Sequence, residues 1–318
     1  MQLLVEVERL CKRFGSITAV DGVSFVVPAG EVLGVLGPNG AGKSTMMRMI
    51  AGSLAATSGV ARICGHDTRL APIAAKSCLG YLPEGSPLYG DMTPEGFLDF
   101  VAAARGLDRS ERRKAIARVI EQLELDEILY RPIDTLSKGF KRRLGIAQAL
   151  VHNPQALILD EPTDGLDPIQ KGVVRRLIAA ISPGKAIIIS THLLEEVDSI
   201  CHRAILIARG RIAGGGTPRE LHAMASNHNA VTACVEQANA QRAAESFAAL
   251  PRVASTKIRI DGADAFVTAT PREGAFIADA VAETLRAASI PARSLEVDSG
   301  SLDEVFARLT RQVAEAQS

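Results

Sequence analysis

Gly37-Pro38-Asn39-Gly40-Ala41-Gly42-Lys43-Ser44-Thr45 matches the pattern G-x-x-x-x-G-K-[ST]. It stands between an apolar run at 31–36 and an apolar-periodic helix expected over 43–54. Strand, glycine-rich loop and helix in that order curl backbone N–H groups around a concavity and aim a helix N-terminus into it. Polyphosphate is the ligand such a loop suits. The glycines let the backbone close on phosphate oxygens, Lys43 sets a point charge on the β and γ phosphates, and Ser44 offers its hydroxyl to Mg2+. The bland alternative, a flexible glycine turn, does not account for the flanking strand and helix.

Two further apolar runs end in chemistry. Residues 156–159, Ala-Leu-Ile-Leu, are followed by Asp160-Glu161-Pro162, and the run at 185–190 is followed by Thr191-His192. Neither run alternates with polar residues, so both read as strands buried on two faces of a parallel sheet, whose ligands collect at the carboxyl edge. Asp160 is placed to hold Mg2+ through water, and Glu161 to orient and deprotonate an attacking water. Acids also end strands simply to reach solvent, but beside a phosphate loop the catalytic reading is favoured. His192 is singled out by position, and the other histidines read as surface or packing residues.

The rest of the chain organises around that core. Residues 1–60 alternate short β-like runs (3–7, 23–27) with turns, and further strands are expected at 60–64 and 79–82. From 93 to about 152 the pattern turns helical: Thr93-Pro94 starts a helix, Arg105-Gly106 stops it, and 110–125 carries apolar residues at helical spacing. An amphipathic helix is expected over 168–181. Polarity rises at 226–229, which reads as a linker. Beyond it come strand (231–235), helix (238–249), strand (253–260), strand (265–270), helix (273–288), strand (293–297) and a last helix whose capping box is Ser301 and Glu304. That order is ferredoxin-like. The expectation is therefore an α/β cassette at 1–225, with a parallel-sheet core, an antiparallel β part and a helical insertion at about 85–155, followed by a small α+β domain at 230–318.

Composition narrows the classes. The 318 residues are 47% hydrophobic, enough for sizeable cores, and 36 Lys plus Arg balance 36 Asp plus Glu. That balance supplies no general attraction to nucleic acid, which is expected not to be a partner. No apolar run approaches membrane-spanning length, and Glu6, Glu8 and Arg9 come too early for a secretory signal, so a cytoplasmic location is expected. The five cysteines show no metal-ligand or Cys-x-x-Cys spacing and read as reduced thiols.

Over residues 3–225 the chain resembles the nucleotide-binding subunits of ABC transporters, P-loop NTPases. The resemblance rests on the glycine loop (Walker A), on Asp160-Glu161 (Walker B), and on Leu136-Ser137-Lys138-Gly139-Phe140 in the place of the family signature LSGGQ. Thr163-Asp164-Gly165-Leu166-Asp167 resembles the D-loop and Thr191-His192 the switch histidine. It implies ATP and Mg2+ as cofactors, with residues 37–45, Gly37, Pro38, Asn39, Gly40, Ala41, Gly42, Lys43, Ser44 and Thr45, around the phosphates. Phe14 would stack on adenine unless it is a core residue. Glu84 replaces the family glutamine as a metal ligand beside Ser44 and Asp160, and His192 would sense the γ-phosphate next to the base Glu161. Ser137 and Gly139 would contact the γ-phosphate of a second subunit's ATP, whereas Lys138 and Phe140 depart from the family pattern. The resemblance further implies a dimer, homodimeric or with a related cassette, that drives a separate integral membrane permease from the inner face of the cell membrane. The permease would dock near residues 84–92, and Leu88, Tyr89, Phe97 and Phe100 either join that dock or pack the helical block. The tail 301–310 resembles cassettes of ABC-2 type exporters, including drug, polysaccharide and gliding-related systems. The rival readings are a soluble ABC ATPase remodelling ribosomes or DNA, and a P-loop kinase of metabolites. The first usually has two cassettes, and the second has no use for a signature loop.

Overall fold

A computed structural model describes residues 2–85 and 87–315, the Ala314 side chain excepted. The chain divides into two compact units, one ending its main stretch at Thr217 and the other running Pro218–Arg311. In the first unit the long strands β1 (Leu3–Phe14) and β2 (Ile17–Pro28) precede β3 (Val32–Leu36), α1 (Lys43–Ile50), β4 (Ser58–Ile63), β5 (His66–Asp67), α2 (Pro72–Ser77) and β6 (Leu79–Leu82). A helical block follows, α3 (Pro94–Ala104), α4 (Arg109–Leu123) and α5 (Lys138–Leu150). The unit then returns through β7 (Ala156–Asp160), α6 (Pro168–Ile181), β8 (Ala186–Thr191), α7 (Leu194–Ile200), β9 (Arg203–Ala208) and β10 (Arg211–Gly216).

Two sheets result. One is antiparallel in the order β2-β1-β4-β5, and the other has the order β10-β9-β3-β8-β7-β6. In the second sheet β3 pairs in parallel with β8 and β9, β7 with β8, and β6 with β7. Every residue of β3, β7 and β8 is buried, which is why these runs carry no polar alternation. Helix α1 is the wedge between the sheets: Met46, Met47 and Ile50 share one core cluster with Val5 and Val7 of β1 and with Ile158, Ile188 and Ile205. Thr93 caps α3 by accepting from the Gly96 N–H at 3.2 Å, and Asp108 with Glu111 forms a capping box on α4. α4 begins at Arg109 and ends where Glu124 turns left-handed (φ 51°).

The second unit holds α8 (Pro218–Ala223), β11 (Val231–Glu236), α9 (Ala240–Ala248), β12 (Val253–Asp261), β13 (Asp264–Pro271), α10 (Ala278–Ala287), β14 (Ala292–Val297) and, as far as Arg311, α11 (Leu302–Glu315). Its antiparallel sheet has the order β12-β13-β11-β14, the ferredoxin-like arrangement. Val231, Ala233, Val235, Ala265, Val267 and Ala269 bury one face against α9 and α10. The helix expected from residue 273 starts at Ala278 instead, because Glu273 takes φ 52° and cannot continue a right-handed helix. Residues 226–229 do not hang free. Asn227 Nδ2 donates to Asp298 Oδ2 at 2.7 Å, Asn229 Nδ2 to Gly274 O at 2.7 Å, and His228 Nδ1 lies 2.7 Å from Ser299 O. These bonds bind the segment into the second unit, so the division falls at Thr217–Pro218. Among the described residues no helix is long and apolar enough to cross a membrane.

Candidate functional site

Parallel pairing brings the carboxyl ends of β3, β6, β7 and β8 to one edge, and the candidate residues emerge there. The loop after β3 is held close to its neighbours. A Cβ on Gly37 would lie 2.4 Å from Ile207 O, and one on Gly42 2.3 Å from Ala19 O, while Gly42 takes φ 105°. Only glycine fits at both places. The resulting cleft, about 240 Å³, is lined by Asn39, Gly40, Ala41, Gly42, Lys43, Ser44 and Thr45 together with Ala19, Glu84 and Glu161.

Lys43 is buried, and its ammonium donates to Gly37 O at 2.7 Å and Pro38 O at 3.2 Å. Burial lowers its pKa, opposed by the charges of Glu161, Asp160 and Glu84. A cation whose protein partners are two backbone carbonyls is poised for an anionic ligand. Asp160 is 1% exposed. Its Oδ1 accepts from Ser190 Oγ, and its buried Oδ2 has no hydrogen-bond partner among the described residues. Ser44 Oγ lies 3.4 Å from Glu84 Oε2. An orphaned carboxylate oxygen with a hydroxyl and a second carboxylate is a hard-oxygen set, and it fits Mg2+ completed by water and phosphate oxygens.

Glu161 holds a left-handed backbone (φ 53°), uncommon for a side chain of this kind. Its N–H reaches both Ser190 O, at 3.1 Å, and Ser190 Oγ, at 2.9 Å. The carboxylate is mostly buried, and Oε2 lies 2.8 Å from Nδ1 of the half-exposed His192. Glu161 therefore lines the cleft with His192 paired to its carboxylate.

The other candidates stand elsewhere. Phe14, at the end of β1, is 48% exposed with the Lys12 ammonium 5.0 Å from its ring centroid, so it is no core residue. Ser137 caps α5 by accepting from the Phe140 N–H at 3.3 Å, and Gly139 faces Gln170, whose Oε1 would lie 2.2 Å from an added Cβ. Neither lines the Lys43 cleft. Lys138 Nζ donates to Asp164 Oδ2 at 2.9 Å, and the Arg143 guanidinium lies over the Phe140 ring at 4.4 Å. Tyr89 makes edge contacts with Phe97 and Phe100, and Phe97 is buried while Tyr89 and Phe100 remain exposed.

Sequence reasoning missed three buried polar residues: Ser190, which ties Asp160 to the Glu161 backbone, Arg142, and Glu196, which accepts from Thr163 Oγ1. The polar pair Ser190-Thr191 closing an apolar strand was a usable signal for the first. No local signal marked the other two, whose partners lie 18 or more residues away.

The family model described as ABC transporter matches residues 20–164. The chain is 37% identical over 238 residues to the probable multidrug ABC transporter ATP-binding protein YbhF of Escherichia coli K12, covering 74% of this chain and 41% of that protein. It is 37% identical over 218 residues to the Nod factor export ATP-binding protein I of Paraburkholderia xenovorans, 68% of this chain and 72% of that one. A solved ATP binding subunit of an ABC transporter superposes with TM-score 0.65 at 30% identity, covering 69% of this chain and 92% of its own. The chain thus spans less than half the length of the Escherichia coli relative and most of the other two.

Proposed function

This chain belongs to the ABC transporter family of ATP-binding proteins, and we propose that it binds and hydrolyses ATP with Mg2+ to drive a separate membrane permease in export. The observation that carries the proposal is the convergence at one sheet edge of the Lys43 cleft, the Asp160 carboxylate with its orphaned oxygen, and the Glu161–His192 pair. Residues 37–45 with Lys43 receive the phosphates. Ser44, Glu84 and Asp160 would hold Mg2+, which when bound neutralises charge on the β and γ phosphates. Glu161 Oε2 orients the attacking water and takes its proton, and His192 holds that carboxylate in place. Phe14, exposed at a strand end, offers a face for adenine.

Ser137 and Gly139 stand apart from the cleft of their own chain, which suits a head-to-tail pair in which each chain completes the other's site. Two copies, or this chain and a related cassette, would sandwich two ATP molecules and act from the cytoplasmic face of the membrane. Export is favoured because relatives carry multidrug and Nod factor export names. Tyr89 and Phe100 are exposed next to buried Phe97 and offer the permease an aromatic contact.

The test is purification of tagged Glu161→Gln protein, loaded with ATP, from detergent-solubilised native membranes, with co-purifying chains identified by mass spectrometry. Recovery of a multi-span protein is the expected outcome. Recovery of ribosomes or DNA-repair proteins alone would overturn the transport reading in favour of soluble remodelling.

A further inference from the structure

Arg142 lies on α5, outside every motif that touches the cleft, yet it is 6% exposed. Its Nη2 donates to Asp160 O at 2.6 Å and also to Glu161 O. Burying a guanidinium is costly, and the acceptors that Nη2 takes here are the backbone carbonyls of the two acids at the end of β7. Four residues earlier, one turn along the same helix face, Lys138 is paired with Asp164 at 2.9 Å, and Asp164 N donates to Glu161 O at 3.1 Å. One face of α5 thus grips residues 160–164 at a buried point and at an exposed one.

The gripped segment needs holding. Glu161 at φ 53° occupies a conformation that non-glycine residues adopt only when their surroundings impose it. Ser190 of β8 accepts from its N–H, and Arg142 of α5 donates to its carbonyl. Between those two anchors the direction of the Glu161 side chain, and with it the distance to His192, is determined. Without the guanidinium, Asp160 O and Glu161 O lose their charged donor, and the turn is free to relax toward a right-handed backbone that swings the carboxylate off the cleft.

We propose that Arg142 is a positioning residue for hydrolysis: its guanidinium, bridging Asp160 O and Glu161 O, holds the Glu161 carboxylate in the orientation that water activation requires. The role rests on the ATPase reading given above. Arg142 is not among the residues that line the Lys43 cleft, so ATP affinity is expected not to depend on it, and the grip comes from a helix, α5. Cation charge alone is insufficient, because both bonds leave one nitrogen, Nη2, which stands one atom farther from the backbone than a lysine ammonium, so a lysine at this position keeps the charge and falls short of the two carbonyls.

The experiment compares full-length wild type, Arg142→Gln and Arg142→Lys. ATP Kd is measured by equilibrium titration and kcat by steady-state hydrolysis, normalised to the fraction competent to bind ATP. The expected result for Arg142→Gln is a fall in kcat of about tenfold or more with Kd within twofold of wild type, and an intermediate kcat for Arg142→Lys. If Arg142→Gln does not fold, Arg142→Lys decides: a reduced kcat at unchanged Kd supports the role, and a wild-type kcat overturns it. A Kd that rises as much as kcat falls overturns it too, since that is the mark of general disorder. A wild type without ATPase activity would overturn the ATPase reading and this role together, whereas an active wild type with equally active variants overturns this role alone.

Discussion

His192 Nδ1 stands 2.8 Å from Glu161 Oε2, joining the ends of two neighbouring strands that the sheet keeps in register with Asp160 opposite Ser190. Under the proposed function the two side chains have separable duties: Glu161, as base, accepts a proton, and the His192 ring orients that carboxylate. Glu161→Gln preserves shape and removes the base, so kcat is expected to fall by about 10²-fold or more with ATP affinity unchanged. His192→Ala leaves the base but frees it, and a smaller loss, about tenfold, is expected. Steady-state hydrolysis and equilibrium titration on the same preparations check both. Normal turnover by Glu161→Gln would remove the base assignment.

Two glycines of the loop between β3 and α1 separate backbone strain from steric overlap. Gly40 has φ 78° with open space where a methyl group would stand, whereas Gly42 has φ 105° and Ala19 O 2.3 Å from an added Cβ. Gly40→Ala is expected to lower stability by about 1 kcal/mol through strain, and Gly42→Ala by about 2 to 4 kcal/mol because Ala19 must also move. Urea unfolding of the two variants measures the difference. Equal losses would mean that the Gly42–Ala19 approach does not matter to the fold.

The parts of this fold that a sequence displays are those whose cause is local. The loop at 37–45 carries its own glycines, and β3, β7 and β8 announce themselves because burial on both faces demands unbroken apolar runs. β9 meets the same demand across Ala204–Ala208 but ends in no motif, so nothing local sets it apart. The start of α10 is hidden for a different reason, because a left-handed Glu273 leaves no trace in helical periodicity. Arg142 illustrates the deeper limit. In Lys141-Arg142-Arg143 it reads as a solvated charge run, and only tertiary packing shows that its partners are carbonyls 18 and 19 residues away.

In the second unit Phe247 is fully buried, within a cluster that includes Val231, Val267, Val281 and Leu285. Phe247→Ala removes a large side chain from the centre of a small core, and the expected cost is about 3 to 5 kcal/mol. Thermal or urea unfolding, followed by a probe placed in residues 218–311, should show that unit melting early. A shift under about 1 kcal/mol would contradict the central place given to Phe247.

His152 sets an acid limit on stability. Its Nε2 lies 3.1 Å from Leu79 O, and since a carbonyl can only accept, Nε2 carries the proton; Nδ1 is buried without a hydrogen-bond partner among the described residues. Burial, then the Arg105 charge, with smaller contributions from Lys185 and Arg118, push the imidazole from its ordinary 6.5 down to about 4. Above pH 6.5 the ring is neutral in both the folded and unfolded chain, and folding incurs no penalty from it. Between pH 6.5 and 4 the unfolded chain binds a proton that the folded one refuses, so stability falls as pH falls, by at most about 1.4 kcal/mol per pH unit. Below pH 4 both states are protonated and this contribution levels off. His152→Gln keeps an N–H for Leu79 O without a titrating ring, and its urea-unfolding free energy should decline less steeply across that window than that of wild type. Parallel declines in the two proteins would mean that the fold accepts the protonated ring.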